Sequence, residues 1–279
     1  MSKSKDVVKV EPSMSMVPDF LREEQAFGLD VVKQYFSPPR VKIIQKQSNK
    51  VFTDKFDAGD VIIMPSMVLL APVQKNDAGR AGELGVPFYI TPLFFWPEWY
   101  VWNPLEMKGT LNAIRDRTLD ARDPIAAKSR DSKLWFEPCP ENKEYSIRYV
   151  EHLNFIFSIH GEHELAGMPI AISFAKGEHR VGSNFSSLIT MRKAPICAGI
   201  YQMRSAYRPN NTKGQWYGID VSNPPDDALV GPWLRQDQQD LYQTFKAQHL
   251  ELKDLHERKL LVTEFGDDDV VDTEVKPEF

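Results

Sequence analysis

Pro87-Phe88-Tyr89-Ile90-Thr91-Pro92-Leu93-Phe94-Phe95-Trp96 carries aromatic or β-branched side chains at most of its positions. Such side chains fit a pleated, buried surface, so the run reads as a β-strand. Upstream, Val61 to Val73 is almost continuously apolar and reads as another strand. The polar stretch Gln74 to Gly82 holds two glycines between these runs and predicts a hairpin with a long tip. Before it, Arg40-Val41-Lys42-Ile43 alternates polar with apolar as a half-buried strand does, and Pro38-Pro39 ends any helix that precedes it.

Working outward toward the C-terminus, strand-like runs recur at Tyr145 to Ile159, Pro169 to Phe174, Ser187 to Thr190, Ile196 to Arg204 and Gln215 to Val221. Repeated short strands joined by irregular loops indicate a barrel or a sandwich. Asn103 to Asn142 lacks strand alternation and is dense in both charges, which predicts a large irregular or helical insertion running out of the sheet. Beyond Pro224-Pro225, Gln236 to Leu261 contains no Gly or Pro, and Leu241, Phe245, Leu252 and Leu255 recur at helical spacing. An amphipathic C-terminal α-helix of about seven turns is expected. Its apolar stripe either packs on the body or forms the seam of a homodimer. Residues 1–37 read as a mobile arm holding one short helix, with Asp19 as N-cap. The predicted organisation is thus the arm, a β body over 38–225 with its insertion at about 103–142, the helical segment 226–262, and a tail over 263–279.

That tail, from Glu264 onward, carries seven acids against the single base Lys276 and ends on Phe279. So few apolar groups cannot build a core, and disorder is expected. Asp267, Asp268, Asp269, Asp272 and the Phe279 ring with its carboxylate would suit a partner offering a small apolar pocket beside a basic residue. An acidic tail closing on Phe resembles the C-terminus of single-stranded DNA-binding proteins of bacteria and bacteriophages. The run Pro38 to Gln45 with the Gly59-Asp60 turn resembles the opening of large phage-encoded members of that class. Ala198 to Ser205, leading to Lys213-Gly214-Gln215-Trp216-Tyr217, is similar to their distal barrel strands. The resemblance implies an OB-like β-barrel, sequence-independent binding of single-stranded DNA in phage replication, recombination and repair, and a tail that recruits proteins of those processes.

Charge agrees with that expectation. The net charge of −5 conceals a tail of −6 and a body of 33 bases and 32 acids. Within the body, Lys176, Arg180, Arg192, Lys193, Arg204, Arg208 and Lys213 are opposed in their stretch only by Glu178, a local net of +6 suited to a polyanion. Single-stranded DNA needs cations along its phosphates and flat rings for its bases. Phe174, Phe185, Tyr201, Tyr207, Trp216 and Tyr217 interleave with these cations, and Trp96, Trp99, Tyr100 and Trp102 form a second aromatic group. The expected DNA contacts are Arg180, Arg192, Lys193, Tyr201, Arg204, Tyr207, Arg208, Lys213 and Trp216. Tyr207 and Trp216 rank first because they flank the polar loop Arg208 to Gly214. The −6 tail would compete for the same face when DNA is absent.

Catalytic signatures are missing: there is no phosphate-binding P-loop, no dinucleotide-binding turn and no nucleophile elbow. No cofactor is expected. Cys139, His160, His163 and Cys197 could be imagined as a zinc site, although neither Cys has the paired spacing of one. A DNA nuclease built from dispersed carboxylates and a non-enzymatic virion or host-takeover protein are the rival readings. No run of eighteen apolar residues and no signal-peptide core occurs, so a cytoplasmic protein with reduced cysteines and no membrane partner is expected.

Overall fold

The computed structural model describes residues 37–75, 81–104, 114–131, 134–208, 216–226, 228 and 230–261. In chain order the strands and helices are β1 (Arg40–Ile43), α1 (Lys50–Thr53), β2 (Val61–Met64), β3 (Val68–Ala71), β4 (Val73–Lys75), β5 (Ala81–Gly85), β6 (Phe88–Trp102), β7 (Ile114–Thr118), α2 (Pro124–Arg130), β8 (Phe136–Pro138), β9 (Ser146–His160), β10 (Ile170–Ala175), α3 (His179–Met191), β11 (Tyr201–Arg208), β12 (Trp216–Ser222) and α4 (Gln239–Glu257). The protein is mainly β. Its nearly closed, barrel-shaped sheet runs β3-β2-β1-β10-β9-β6-β11-β5-β4, with β12 added on β11, β7 on β6 and β8 on β9. That is a larger sheet than the five strands of a minimal OB barrel.

The spine is the antiparallel pair β6 and β9, fifteen residues each, in register from Tyr89 opposite His160 to Trp102 opposite Arg148. At ~3.4 Å per residue the pair extends about 50 Å. Pro92 and Pro97 sit inside β6 because the second edge of that strand is interrupted. β11 covers Phe88 to Ile90, β7 covers Trp99 to Trp102, and no strand pairs the residues between among those described. A proline there sacrifices no ladder bond on that edge. A register shift falls between Pro92 and Phe94.

One face of the spine packs Leu153, Phe155 and Phe157 with Phe174, Phe185, Tyr201 and Ile219 in the main core. On the other, Phe94, Trp96 and Ile156 are covered by Phe245 and Leu252 of α4. Phe245, Leu252 and Leu255 are buried and Leu241 packs beside them, so the apolar stripe of the C-terminal helix is spent on the body. Gly59, at φ +100°, has no room for a side chain: a Cβ there would stand 2.8 Å from the Tyr217 ring. No helix among the described residues is long and apolar enough to cross a membrane.

Several expectations are corrected. Val61 to Val73 is not one strand. A turn at Pro65–Met67, with Met67 at a left-handed φ of 56°, folds β2 onto β3, and Pro72 breaks the chain again before β4. The polar loop therefore belongs to the small β4–β5 hairpin, and β6 pairs with β9 and β11 instead. Ser187 to Thr190 is helical: Phe185 of α3 is buried, Val181 and Leu188 pack on the core, and the Ser187 and Thr190 hydroxyls bond carbonyls one turn earlier. Ile196–Ala198 forms a 3-10 turn before β11 begins. The insertion does not leave the sheet entirely, since β7 and β8 widen the spine and α2 packs against it. The N-terminal arm, most of the polar loop and the acidic tail lie outside the described residues.

Candidate nucleic-acid interface

The sequence-predicted contacts divide into three groups. Tyr201 is buried in the main core, edge-on to Phe185 at 5.1 Å, and the Arg192 guanidinium lies 4.0 Å over its ring. Arg192 also donates to the carbonyls of Ile200 and Pro232 and to Asn223 Oδ1. Arg208 donates to Asp220 Oδ1 at 2.7 Å and to the Ile219 carbonyl, and pairs with Glu178 at 3.5 Å. Tyr201 is thus enclosed in the core, while Arg192 and Arg208 are half-buried and engaged by neighbouring residues of the fold. Arg204 stands half-buried opposite Asp220, and Tyr207 is half-buried with its ring 5.5 Å from that of Tyr217. Arg180 and Lys193 are exposed, and Trp216 is half-buried at the start of β12. Lys213, Asp267, Asp268, Asp269, Asp272 and Phe279 lie outside the described residues. In the second aromatic group Trp96, Trp99 and Tyr100 are buried and Trp102 is half-buried, so none of the four is an open stacking platform.

A different surface gathers cations and open rings. On its second edge β9 pairs with β8 at Ser146 to Arg148 and with β10 at His152 to Phe157, leaving Tyr149 to Glu151 between two strands that do not meet. This gap is a notch of about 630 Å³ whose lining includes Arg130, Trp135, Arg148, Glu151, Lys176 and His179. Tyr149 N–H donates to the Trp135 carbonyl at 2.7 Å, fixing the start of β8 at its rim. The insertion is tied down around it: Lys128 pairs with Glu137 at 2.6 Å, and Arg115 grips both Glu141 oxygens, holding that carboxyl down at about 2.

Inside the notch the charges are ordered. The Glu151 carboxylate accepts from His179 Nε2 at 2.8 Å and from Arg130 at 3.1 Å, and both bonds lower its pKa. The Arg130 guanidinium rests 4.8 Å over the Trp99 ring. Arg148 and Lys176, in contrast, have no ion-pair partner among the described residues. Partial desolvation and then the Arg148 charge hold the Lys176 ammonium below its usual range. Lys176 follows β10 in a left-handed conformation, φ 51°, with its ammonium 5.7 Å from the Trp102 ring. Trp135, which lines the notch, is 41% exposed, and Phe136 beside it is 47% exposed, with ring centres 5.0 Å apart and edge to face. The Trp216 indole lies against Gly177, where a Cβ would come within 3.1 Å of it.

Sequence reasoning missed Arg130, Trp135, Arg148 and His179 because they come from four separate segments. The one available signal was Leu134-Trp135-Phe136, an apolar triplet inside a charged insertion.

The cysteines and histidines of the candidate zinc site are dispersed among the described residues. Cys139 donates to Glu141 at 2.9 Å within one small core, and Cys197 lies in another. His163 contacts the Leu69 carbonyl and His160 the Thr91 hydroxyl. The four do not meet, and no cluster of three metal-ligating side chains occurs among the described residues. Thr91 and His160, 2.7 Å apart, resemble a nucleophile and base, with burial lowering the His160 pKa to about 4. Thr91 is fully buried and out of reach of a substrate.

The described geometry can be set beside known proteins. A family described as Pam3 phage gp34-like protein matches residues 10–256. No curated protein and no solved structure matches the chain. With a match over most of its length, the chain belongs to the Pam3 phage gp34-like family of bacteriophage proteins.

Proposed function

We propose that this phage protein binds single-stranded DNA without sequence preference during replication or recombination of the phage genome, and performs no covalent chemistry. The observation that carries this reading is the notch. Two cations with no ion-pair partner among the described residues, Arg148 and Lys176, line it together with the open ring of Trp135. Cations along a phosphate path with rings for unstacked bases are the two requirements for holding a single strand. Arg180 and Lys193, both exposed, add positive charge on α3 and just beyond it. In this reading the acidic tail, through Asp267, Asp268, Asp269, Asp272 and Phe279, recruits replication or recombination proteins, and competes with DNA for the basic surface.

The test is titration of a fluorescent oligo-dT with the intact protein at two salt concentrations, with duplex of equal length as competitor. Binding that weakens with salt and that duplex does not displace supports the reading. Absence of binding, or cleavage of the oligonucleotide on adding a divalent metal, overturns it.

A further inference from the structure

Resting on that reading, we propose that the notch between β8 and β10 takes one unstacked nucleotide of the strand, its base on the Trp135 ring and its phosphate between Arg148 and Lys176. The opening is three β9 residues wide, about 10 Å along the strand. The space of about 630 Å³ falls within the range of small-ligand pockets, roughly 300–1,000 Å³. The charge inventory selects the phosphate ligands. Arg130 and His179 are already held by Glu151, and so serve as walls, whereas Arg148 and Lys176 line the same notch with no ion-pair partner among the described residues. An anion seated between them relieves their mutual repulsion. Trp135 is held for stacking: its carbonyl is bonded to Tyr149 N–H and Phe136 stands edge-on to its ring, while much of its surface stays open. In a duplex the bases are stacked and paired inward, so only a single strand or an extruded base can reach that ring.

Tryptophan emission tests this through single variants, because Trp96 and Trp99 are buried, Trp135 and Trp233 are the most open, and of these only Trp135 lines the notch. The wild type, Trp135→Phe and Trp135→Ala are titrated with oligo-dT and with the dinucleotide pdTpdT, with circular dichroism confirming the fold of each. The expected result is quenching of the wild type by both ligands, loss of most of that quenching in Trp135→Phe with oligo-dT affinity largely kept, and about 5- to 150-fold weaker oligo-dT binding by Trp135→Ala. Unchanged quenching and affinity in both variants overturn the nucleotide pocket while leaving single-strand binding intact. If the wild type fails to bind oligo-dT at all, the single-strand reading fails and the pocket with it.

Discussion

The guanidinium of Arg192 lies 4.0 Å over the ring of Tyr201, so two residues that the sequence assigns to DNA spend their chemistry on each other. Arg192 adds hydrogen bonds to Ile200, Pro232 and Asn223, clamping the segment before β11 to the loop after β12. Arg192→Ala is expected to cost about 1–3 kcal/mol of stability, read from denaturant unfolding. Its oligo-dT affinity at fixed salt should stay within about threefold, less than one good stacking contact contributes. A large affinity loss with unchanged stability would return Arg192 to the DNA surface.

Gln45 takes the place of a missing strand. Its side-chain amide donates to the Tyr217 carbonyl at 2.8 Å and accepts from Tyr217 N–H at 2.9 Å, while Glu178 accepts from Ile219 N–H at 2.9 Å. The outer edge of β12 is thereby closed by side chains, which blunts an edge open to pairing with other chains. Gln45→Ala should cost about 1–2 kcal/mol, lower the melting temperature by a few degrees and speed hydrogen exchange at Tyr217. Unaltered exchange there would contradict this role.

Acid should destabilise the fold earlier than carboxylates alone would. Burial lowers His152 to about 3 and His160 to about 4, against an ordinary 6.5. Below 6.5 the unfolded chain takes up protons that the folded one refuses. Stability is therefore level above that pH and declines as pH falls through the interval down to about 4, on the order of 1.4 kcal/mol per unit for each histidine. Thermal unfolding between pH 7.5 and pH 5 checks this, and His160→Gln should flatten the decline. A stability independent of pH across that range would show that these imidazoles titrate normally.

Removal of residues 262–279 takes seven acids and one base from the chain. If the tail competes with DNA, the truncated protein binds oligo-dT more tightly at low salt, and the difference shrinks as salt screens the tail. Unchanged or weaker binding would end the competition idea without touching the notch.

The long strand β6 and the C-terminal helix were legible in the sequence because aromatic density and four spaced apolar residues each signal one structure. Val61 to Val73 was not, because a continuous apolar run hides its turns, although Pro65-Ser66 and Pro72 were the marks of them. Ser187 to Thr190 misled for a similar reason. Four residues are too few to show a period, and the helix emerges only when Val181, Phe185 and Leu188 are read together. The site was less legible still. Tyr201 and Arg192 carry the right chemistry for DNA, yet pairing of β11 with β6 turns Tyr201 into the core, and Arg192 at the end of α3 lies over its ring. Trp135, Arg148 and Lys176 meet only because two strands stop short of each other along β9.

The most direct test is the salt dependence of oligo-dT binding for the wild type and for the Arg148→Ala/Lys176→Ala double variant. Each phosphate contact contributes about 0.7 to the slope of log affinity against log salt for a single strand, so the double variant, which gives up the one phosphate held between these cations, should lose about 0.7 of it along with affinity. An unchanged slope would mean that no phosphate sits between Arg148 and Lys176, and would contradict the account of the notch.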